Sequence, residues 1–130
     1  MGLRVGIDLV SIDAVEASIR VHAARYLGRV YTSRELRDCR APDGAPDARR
    51  LARCFAAKEA ALKVLRVGDD AIPWRSIGVL SDHSPNPSIE LTGAAEELAR
   101  RQGVTELSLS FTHEGPLAAA IVIARVRDER

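Results

Sequence analysis

Hydrophobic and polar residues alternate along residues 3–10, at the start of the chain. A period of two predicts a β-strand. The residues on one side of this strand are all aliphatic: Leu3, Val5, Ile7 and Leu9. We expect this aliphatic side to face the hydrophobic core. Asp8 falls near the strand end on the opposite side, where Gly6 leaves space above the backbone. Asp8 is therefore a candidate site residue, although an aspartate at a strand end is also an ordinary turn residue.

A helical period marks residues 48–65, which contain no glycine or proline. In the second half of this segment, the charged side chains fall inside one arc of roughly 140° around the helix. The arc carries Lys58, Glu59, Lys63 and Arg66. We expect protein to enclose the helix except along this stripe, where Glu59 and Lys63 are i, i+4 neighbours. The stripe suits either a site for a metal ion and its anion or an exposed edge with an ordinary Glu–Lys pair.

Capping and turn signals predict the remaining elements. Asp13 and Glu16 resemble a capping box that begins a helix to about Leu27, and Thr32 and Glu35 form a second box. Loops are predicted at 41–47, 81–88 and 112–116, strands within 74–80 and at 88–91, 107–111 and 117–126, and a helix from Thr92 to Gly103. The sum is a single α+β domain over residues 1–130, with a largely antiparallel sheet packed against one long central helix.

Composition narrows the function classes. The chain has 130 residues, 46% hydrophobic and 4% aromatic, and a net charge of +1. The small charge, without aromatic residues interleaved among basic ones, argues against a nucleic-acid partner. No apolar run is long enough to cross a membrane and no signal peptide opens the chain, so we expect a cytoplasmic protein. Cys39 and Cys54 lack metal-binding spacing, and we expect both to be reduced thiols.

Two segments together resemble the signature motifs of phosphopantetheinyl transferases. They are GIDLVSIDAV at 6–15 and RCFAAKEAALKVL at 53–65. Their separation, the T-x-x-E-L segment at 32–36 and the S-L-S strand near the C-terminus also fit the pattern. The best agreement is with the short holo-acyl-carrier-protein synthase type, and it extends over nearly the whole chain.

The resemblance implies an enzyme that moves the phosphopantetheine arm of coenzyme A to a serine of an apo acyl carrier protein. Asp8 and Glu59 would bind Mg²⁺, and Lys63 would contact the coenzyme A phosphate. This assignment agrees with the preference of Mg²⁺ for carboxylates, waters and substrate phosphates. The resemblance also gives Glu59 the proton of the serine hydroxyl, accepted either directly or through a metal-bound water.

The short members of this family are homotrimers with sites at the subunit interfaces, and the resemblance implies the same assembly here. Carrier proteins are acidic where they dock, so a positive face on the first helix would complement one. Arg20, Arg25 and Arg29 are the candidates, against the simpler interpretation that they are solvated surface residues. The arginine that the family often uses against the carrier is Ala14 in this chain.

The chain departs from the family pattern at two coenzyme-binding positions. The family arginine that precedes the phenylalanine is Cys54 here, with Arg53 one place earlier. The family histidine after S-x-S is Phe111, and a histidine follows at His113. A shift of two residues keeps the same face of a strand if the strand continues. We therefore predict Arg53 and His113 as coenzyme A contacts, with their equivalence to the missing groups left open.

Two alternatives remain at this stage. One is a non-catalytic relative that binds coenzyme A or a carrier protein without transferring the arm. The other is an unrelated α+β oligomerisation module in which the charged stripe is only surface. The sequence also leaves open whether the carrier belongs to fatty-acid, polyketide or peptide synthesis.

Overall fold

The computed structural model describes residues 1–81 and 86–128. Nine helices and strands lie in these ranges, together with a short 3₁₀ turn at Trp74–Ser76. In chain order they are β1 (Gly2–Ser11), α1 (Ile12–Val30), α2 (Ser33–Asp38), α3 (Ala48–Leu65), β2 (Ile77–Leu80), β3 (Ser88–Leu91), α4 (Gly93–Arg101), β4 (Val104–Glu114) and β5 (Leu117–Val126). Residues 82–85 of the loop predicted at 81–88 lie outside the described residues.

The strands form two antiparallel units. β1, β5 and β4 form a three-stranded sheet in that order. The last strand, β5, lies in the middle and pairs with β1 on one side and with β4 on the other. β2 and β3 form a separate two-stranded ribbon. The predicted α+β class with largely antiparallel pairing is confirmed.

Helix α3 is the centre of the fold and has the predicted bounds, 48–65. Its N-cap, Asp47, accepts hydrogen bonds from the backbone amides of Arg49 and Arg50. Small residues cover its contact faces, and five of its alanines are fully buried: Ala52, Ala56, Ala57, Ala60 and Ala61. Alanine lets the helix axis approach the sheet closely, so α3 packs against all three strands of the larger sheet.

The prediction for the two sides of β1 was wrong. The aliphatic side is exposed rather than buried, with Leu3 at 73%, Val5 at 63% and Ile7 at 60% of full exposure. Helix α3 lies instead on the side that carries Gly6 and Asp8, because only the glycine leaves room for the helix backbone. The sheet therefore has one face against α3 and an apolar face that no part of the described chain covers.

Two smaller predictions also change. Ser11, not Asp13, caps α1, since its hydroxyl accepts a hydrogen bond from the Ala14 amide. β4 runs to Glu114, so the turn predicted from residue 112 begins later and residue 113 stays in the strand. The capping box of Thr32 and Glu35 is present as predicted. Among the described residues, no helix has the length and apolarity that a membrane crossing requires.

Candidate functional site

The site begins where α3 crosses β1 over Gly6. A Cβ atom at this glycine would lie 2.3 Å from the Ala60 carbonyl oxygen and 3.1 Å from the Lys63 Cβ. Any larger residue would push the helix off the strand. Because side chains alternate along a strand, Asp8 leaves the backbone on the same side as Gly6, beside α3. The predicted space above Gly6 is thus filled by the helix itself.

Asp8 and Lys63 meet at this crossing. The Lys63 ammonium donates to Asp8 Oδ1 at 3.2 Å and to the carbonyl oxygen of Ile7 at 2.6 Å. The Asp8 side chain is 19% exposed and that of Lys63 is 52% exposed. The lysine therefore remains open to solvent while it anchors to the strand. Glu59, one helical turn earlier on α3, is half-buried beside this pair.

The pKa of Glu59 reports how the three groups interact. Burial raises the pKa of this carboxyl above its usual 4.5, the negative charge of Asp8 raises it further, and Lys63 lowers it. The two carboxylates therefore lie within electrostatic range of each other, with one lysine between two negative charges. The structure brings together the three residues that the sequence singled out, Asp8, Glu59 and Lys63.

The oxygen-rich donor set limits which cation this site suits. Among residues 1–81 and 86–128, no group of three or more His, Cys, Asp or Glu side chains is arranged to enclose a metal ion. A closed zinc-type site is therefore absent from the described chain. Two carboxylates with solvent access suit a hard cation that takes its other ligands from water and phosphate oxygens.

A second group of side chains lies further across the same face of the sheet. Asp8, Ala120 and Phe111 sit side by side on β1, β5 and β4, so Phe111 is about 10 Å from the aspartate strand position. The guanidinium carbon of Arg53 lies over the Phe111 ring, 4.9 Å from its centroid. A cation over an aromatic face is attractive. No pattern in the sequence predicts this contact.

His113 follows Phe111 on the same face of β4, in the row formed with Ala118. Within the described chain, its Nδ1 atom and the Nε atom of Arg53 are buried without a hydrogen-bond partner. Buried polar atoms without partners are uncommon in folded proteins. The prediction that a continuing strand keeps His113 on the Phe111 face therefore has the geometry it requires, although no contact joins this group to the Asp8 group.

Lys58 occupies a different environment from the one predicted. It is fully buried rather than part of an open stripe, because it leaves α3 toward α2. Its ammonium lies 2.8 Å from Glu35 Oε1 and donates to the carbonyl oxygens of Trp74 and Ile77. The second carboxylate oxygen, Glu35 Oε2, accepts from the Val79 amide at 2.7 Å. This buried network fixes α3 against α2 and β2.

The first helix carries a cavity of about 350 Å³. Its lining is His22, Arg25, Tyr26, Arg29 and Val30. Two of the three predicted docking arginines thus border it, whereas Arg20 does not. A kink at Ala23, whose φ is 44°, interrupts the helix between Arg20 and the other two.

Comparisons with known proteins were made on both sequence and fold. The 4′-phosphopantetheinyl transferase superfamily matches residues 4–122 of the chain. A holo-[acyl-carrier-protein] synthase of Desulforudis audaxviator is 36% identical over 124 residues, which cover 95% of this chain and 93% of that protein. One from Moorella thermoacetica is 38% identical over 121 residues, with coverages of 93% and 92%.

Solved structures give the same picture. A complex described as Chronobacterium ammoniagenes ACPS with CoA superposes with a TM-score of 0.83 at 28% identity, covering 98% of this chain and all 100% of that one. The Helicobacter pylori holo-[acyl-carrier-protein] synthase in complex with coenzyme A gives a TM-score of 0.80 at 27% identity, with coverages of 94% and 100%.

Proposed function

The chain belongs to the 4′-phosphopantetheinyl transferase superfamily, and from that premise we propose that it transfers the phosphopantetheine arm of coenzyme A to a serine of an apo acyl carrier protein. The product is the holo carrier protein, as in relatives named holo-[acyl-carrier-protein] synthases. The observation that carries the proposal is the meeting of Asp8, Glu59 and Lys63 where β1 and α3 cross.

The charges of the site fit Mg²⁺. Asp8 and Glu59 place two negative charges near one lysine, and burial together with the charge of Asp8 raises the pKa of Glu59 against the opposing effect of Lys63. We assign Asp8 and Glu59 as the ligands, with waters and substrate oxygens completing the shell. When bound, the ion would supply positive charge that stabilises the phosphate oxygens while the phosphopantetheine arm moves from coenzyme A to the serine.

The side chains of the chain divide the remaining work. Lys63, anchored on the Ile7 carbonyl and half exposed, binds a phosphate oxygen of coenzyme A and holds the diphosphate in place. Glu59 accepts the proton of the serine hydroxyl, either directly or through a metal-bound water. The serine oxygen then bonds to the phosphorus that bears the arm, and the bridging oxygen leaves with the nucleotide.

Arg53 and His113 are proposed to bind the phosphate groups on the nucleotide side of coenzyme A. Arg53 is held over Phe111, which stands where the family has a histidine. Both Arg53 Nε and His113 Nδ1 lack partners within the described chain, and a phosphate oxygen supplies strong acceptors for such donors. These two residues would compensate for the family arginine and histidine that Cys54 and Phe111 replace.

We further propose a homotrimer with sites at the subunit interfaces. The face of the β1–β5–β4 sheet that points away from α3 is aliphatic along β1 and β5. There Val5 lies opposite Ile123, and Ile7 lies opposite Ile121. Continuous exposed apolar surface of this kind marks an interaction site. Copies of the same chain would cover this apolar face.

Light scattering tests this assembly. Val5→Lys introduces a charge into the covered face and should give monomers, because an unpaired buried charge is costly. Val21→Lys is the matched control, since Val21 is equally exposed at 67% but lies on α1. A Val5→Lys protein with the mass of the unaltered assembly would refute the proposed interface.

The carrier protein is proposed to dock at α1 in the cytoplasm. Carrier proteins present acidic surfaces, and Arg25 and Arg29 border a cavity in the described structure. Arg20 would join this surface from the other side of the kink at Ala23. Fatty-acid, polyketide and peptide carriers share this acidity, so assays with several apo carriers decide which one is served.

Mass spectrometry tests the transfer itself. The chain is mixed with coenzyme A, Mg²⁺ and an apo carrier protein, and the carrier should gain the mass of phosphopantetheine. Glu59→Gln, which keeps the shape of the side chain, should abolish the gain. Coenzyme A binding without modification of any carrier would instead favour a non-catalytic relative, and no binding of either partner would refute both.

A further inference from the structure

Two cysteine side chains meet at the junction of α2 and α3. Their Sγ atoms are 3.8 Å apart, and each residue is only 2% exposed. Cys39 is the C-cap of α2, and Cys54 lies in the second turn of α3. Both thiols are free. The transfer reaction described above uses neither of them.

Each thiol lies four residues from one member of the buried ion pair between Glu35 and Lys58. Cys39 follows Glu35 by four residues on the α2 side, and Cys54 precedes Lys58 by four residues on α3. Residues four apart lie one above the other on a helix. The Sγ–Sγ contact and the 2.8 Å contact of Lys58 with Glu35 are therefore successive links between the same two segments.

We propose that Cys39 and Cys54 are an oxidation site, and that peroxide converts them into a disulfide that joins α2 to α3 and slows the transfer reaction. An S–S bond is about 2.05 Å long, so the sulfur atoms must approach from 3.8 Å. Side-chain rotation and a small movement of the helices together supply that approach. The effect on transfer rests on the proposed function, whereas the formation of the bond does not.

The two thiols differ in a way that suits the chemistry. The hydrogen bond with Cys54 lowers the pKa of Cys39, and the positive charge of Arg50 adds to this effect, while burial opposes it. The same hydrogen bond and burial raise the pKa of Cys54 well above its usual value. Cys39 is therefore the attacking thiolate and Cys54 the resolving thiol. Burial favours a small oxidant such as hydrogen peroxide.

The reaction balances in two steps. The Cys39 thiolate attacks one peroxide oxygen, so an S–O bond forms, the O–O bond breaks, and the departing hydroxide takes a proton to become water. The sulfur of Cys54 then attacks the sulfenic acid at Cys39, loses its proton, and displaces the hydroxyl as a second water. Two thiols are oxidised to one disulfide, and one peroxide is reduced to two waters.

The disulfide would affect the site through the neighbours of Cys54. Arg53 lies over Phe111, and Phe55 packs against Trp74 with ring centroids 5.1 Å apart. Drawing this turn of α3 toward α2 pulls Arg53 away from β4 and turns the helix that carries Glu59. Displacements of about 1 Å in the positioning of reacting groups cost up to about a hundredfold in rate.

The experiment treats the full chain with a few equivalents of hydrogen peroxide and measures intact mass. We expect a loss of two hydrogen atoms and, after proteolysis without reductant, a peptide pair joined through Cys39 and Cys54. Cys39→Ser and Cys54→Ser should each prevent this link. A mass gain of oxygen atoms alone, or a link between two chains, would overturn the proposal.

The second readout is the phosphopantetheine transfer rate before oxidation, after oxidation and after treatment with a dithiol reductant. We expect a fall of about tenfold or more, in line with a displaced positioning group, and full recovery on reduction. The Cys39→Ala/Cys54→Ala protein should transfer at the unoxidised rate and ignore peroxide. A linked protein that transfers at the unoxidised rate would overturn the coupling to the site. Failure of the untreated protein to transfer would count against the proposed function, and the mass result would still decide the link.

Discussion

Lys58 and Glu59 are neighbours in the sequence, yet they belong to two opposite kinds of polar region on α3. Lys58 is fully buried, and its ammonium is matched by the Glu35 carboxylate and two backbone carbonyls. Glu59 is half-buried beside a second carboxylate, and among the described residues Lys63 is the cation that lowers its pKa. Within the described residues, the buried charges of the first region have partners, whereas the two carboxylates of the second region share one lysine.

The two regions differ in charge balance, and this difference distinguishes a structural role from a functional one. A buried charge that finds all its partners inside the chain stabilises one arrangement of helices and leaves nothing for a ligand. A partly exposed group of like charges costs stability unless an external ion offsets it, which is the usual condition of a binding or catalytic site. Changes on the two sides of α3 should therefore affect different measurements.

The largest effect on activity is expected from Asp8→Asn. The amide keeps the shape of the side chain but removes a charge from the proposed metal site, and losing such a stabilising group costs about 10²–10³ in rate. The free energy of unfolding should change little, because the ion-pair partner of Asp8, Lys63, is half exposed and a second carboxylate lies nearby. Transfer kinetics and urea unfolding measure the two quantities.

Asp70→Asn is the control for this variant. Asp70 forms an exposed ion pair with Arg101, so its loss should alter neither rate nor stability by a measurable amount. Unchanged turnover in Asp8→Asn would remove Asp8 from the mechanism.

The largest effect on stability is expected from Lys58→Met on the other side of the helix. The variant leaves the Glu35 carboxylate buried without its partner, which typically costs about 3–5 kcal/mol. The matched control is Lys63→Met on the same helix, which should cost less than about 1 kcal/mol because that side chain is half exposed.

Adding Glu35→Gln to Lys58→Met should recover part of the lost free energy of unfolding, since it removes the unpaired charge. We call the region around Lys58 and Glu35 closed and the region around Asp8, Glu59 and Lys63 open. If the two methionine variants unfolded at the same urea concentration, this distinction would be wrong.

A smaller effect is expected from Lys63→Ala on coenzyme A affinity. Loss of one charged hydrogen bond to a phosphate should weaken binding by about 1–3 kcal/mol, measured by isothermal titration. Arg100→Ala on α4 is the control, because that arginine pairs on the surface with Glu97 and should bind coenzyme A unchanged. An unaltered dissociation constant for Lys63→Ala would contradict the proposed phosphate contact.

The sequence predicts the open region better than the closed one. Asp8, Glu59 and Lys63 follow from motif spacing and helical period, and Gly6 from the room it leaves. Lys58 falls at the edge of the same predicted stripe, so a helical period alone cannot tell a buried lysine from an exposed one. Its partner, Glu35, lies on another helix, and that pairing depends on how α2 folds back against α3.

The sides of β1 show a second limit. Alternation locates the strand but does not say which side meets the core when both sides can be covered. The alternation predicts the aliphatic side as the inner one, yet the close approach of Ala60 to Gly6 decides the packing. We propose that other copies of the chain cover this exposed aliphatic side, an arrangement that a single sequence pattern does not reveal.

The smallest effect is a dependence of stability on pH, and it distinguishes the two regions without any substrate. In metal-free protein, the pKa of Glu59 lies above the unfolded value of 4.5. Between these two values the folded state holds more protons than the unfolded state, so the free energy of unfolding contributed by this group falls as the pH rises. The stability difference between Glu59→Gln and the unaltered chain should therefore grow with pH in a chelator-containing buffer. Mg²⁺ should reduce that difference at neutral pH, because the ion offsets the charges of Asp8 and Glu59. A difference that shrinks with rising pH in the metal-free protein would mean that Glu59 finds enough positive charge within the chain, as Glu35 does, and the contrast between the two regions would fail.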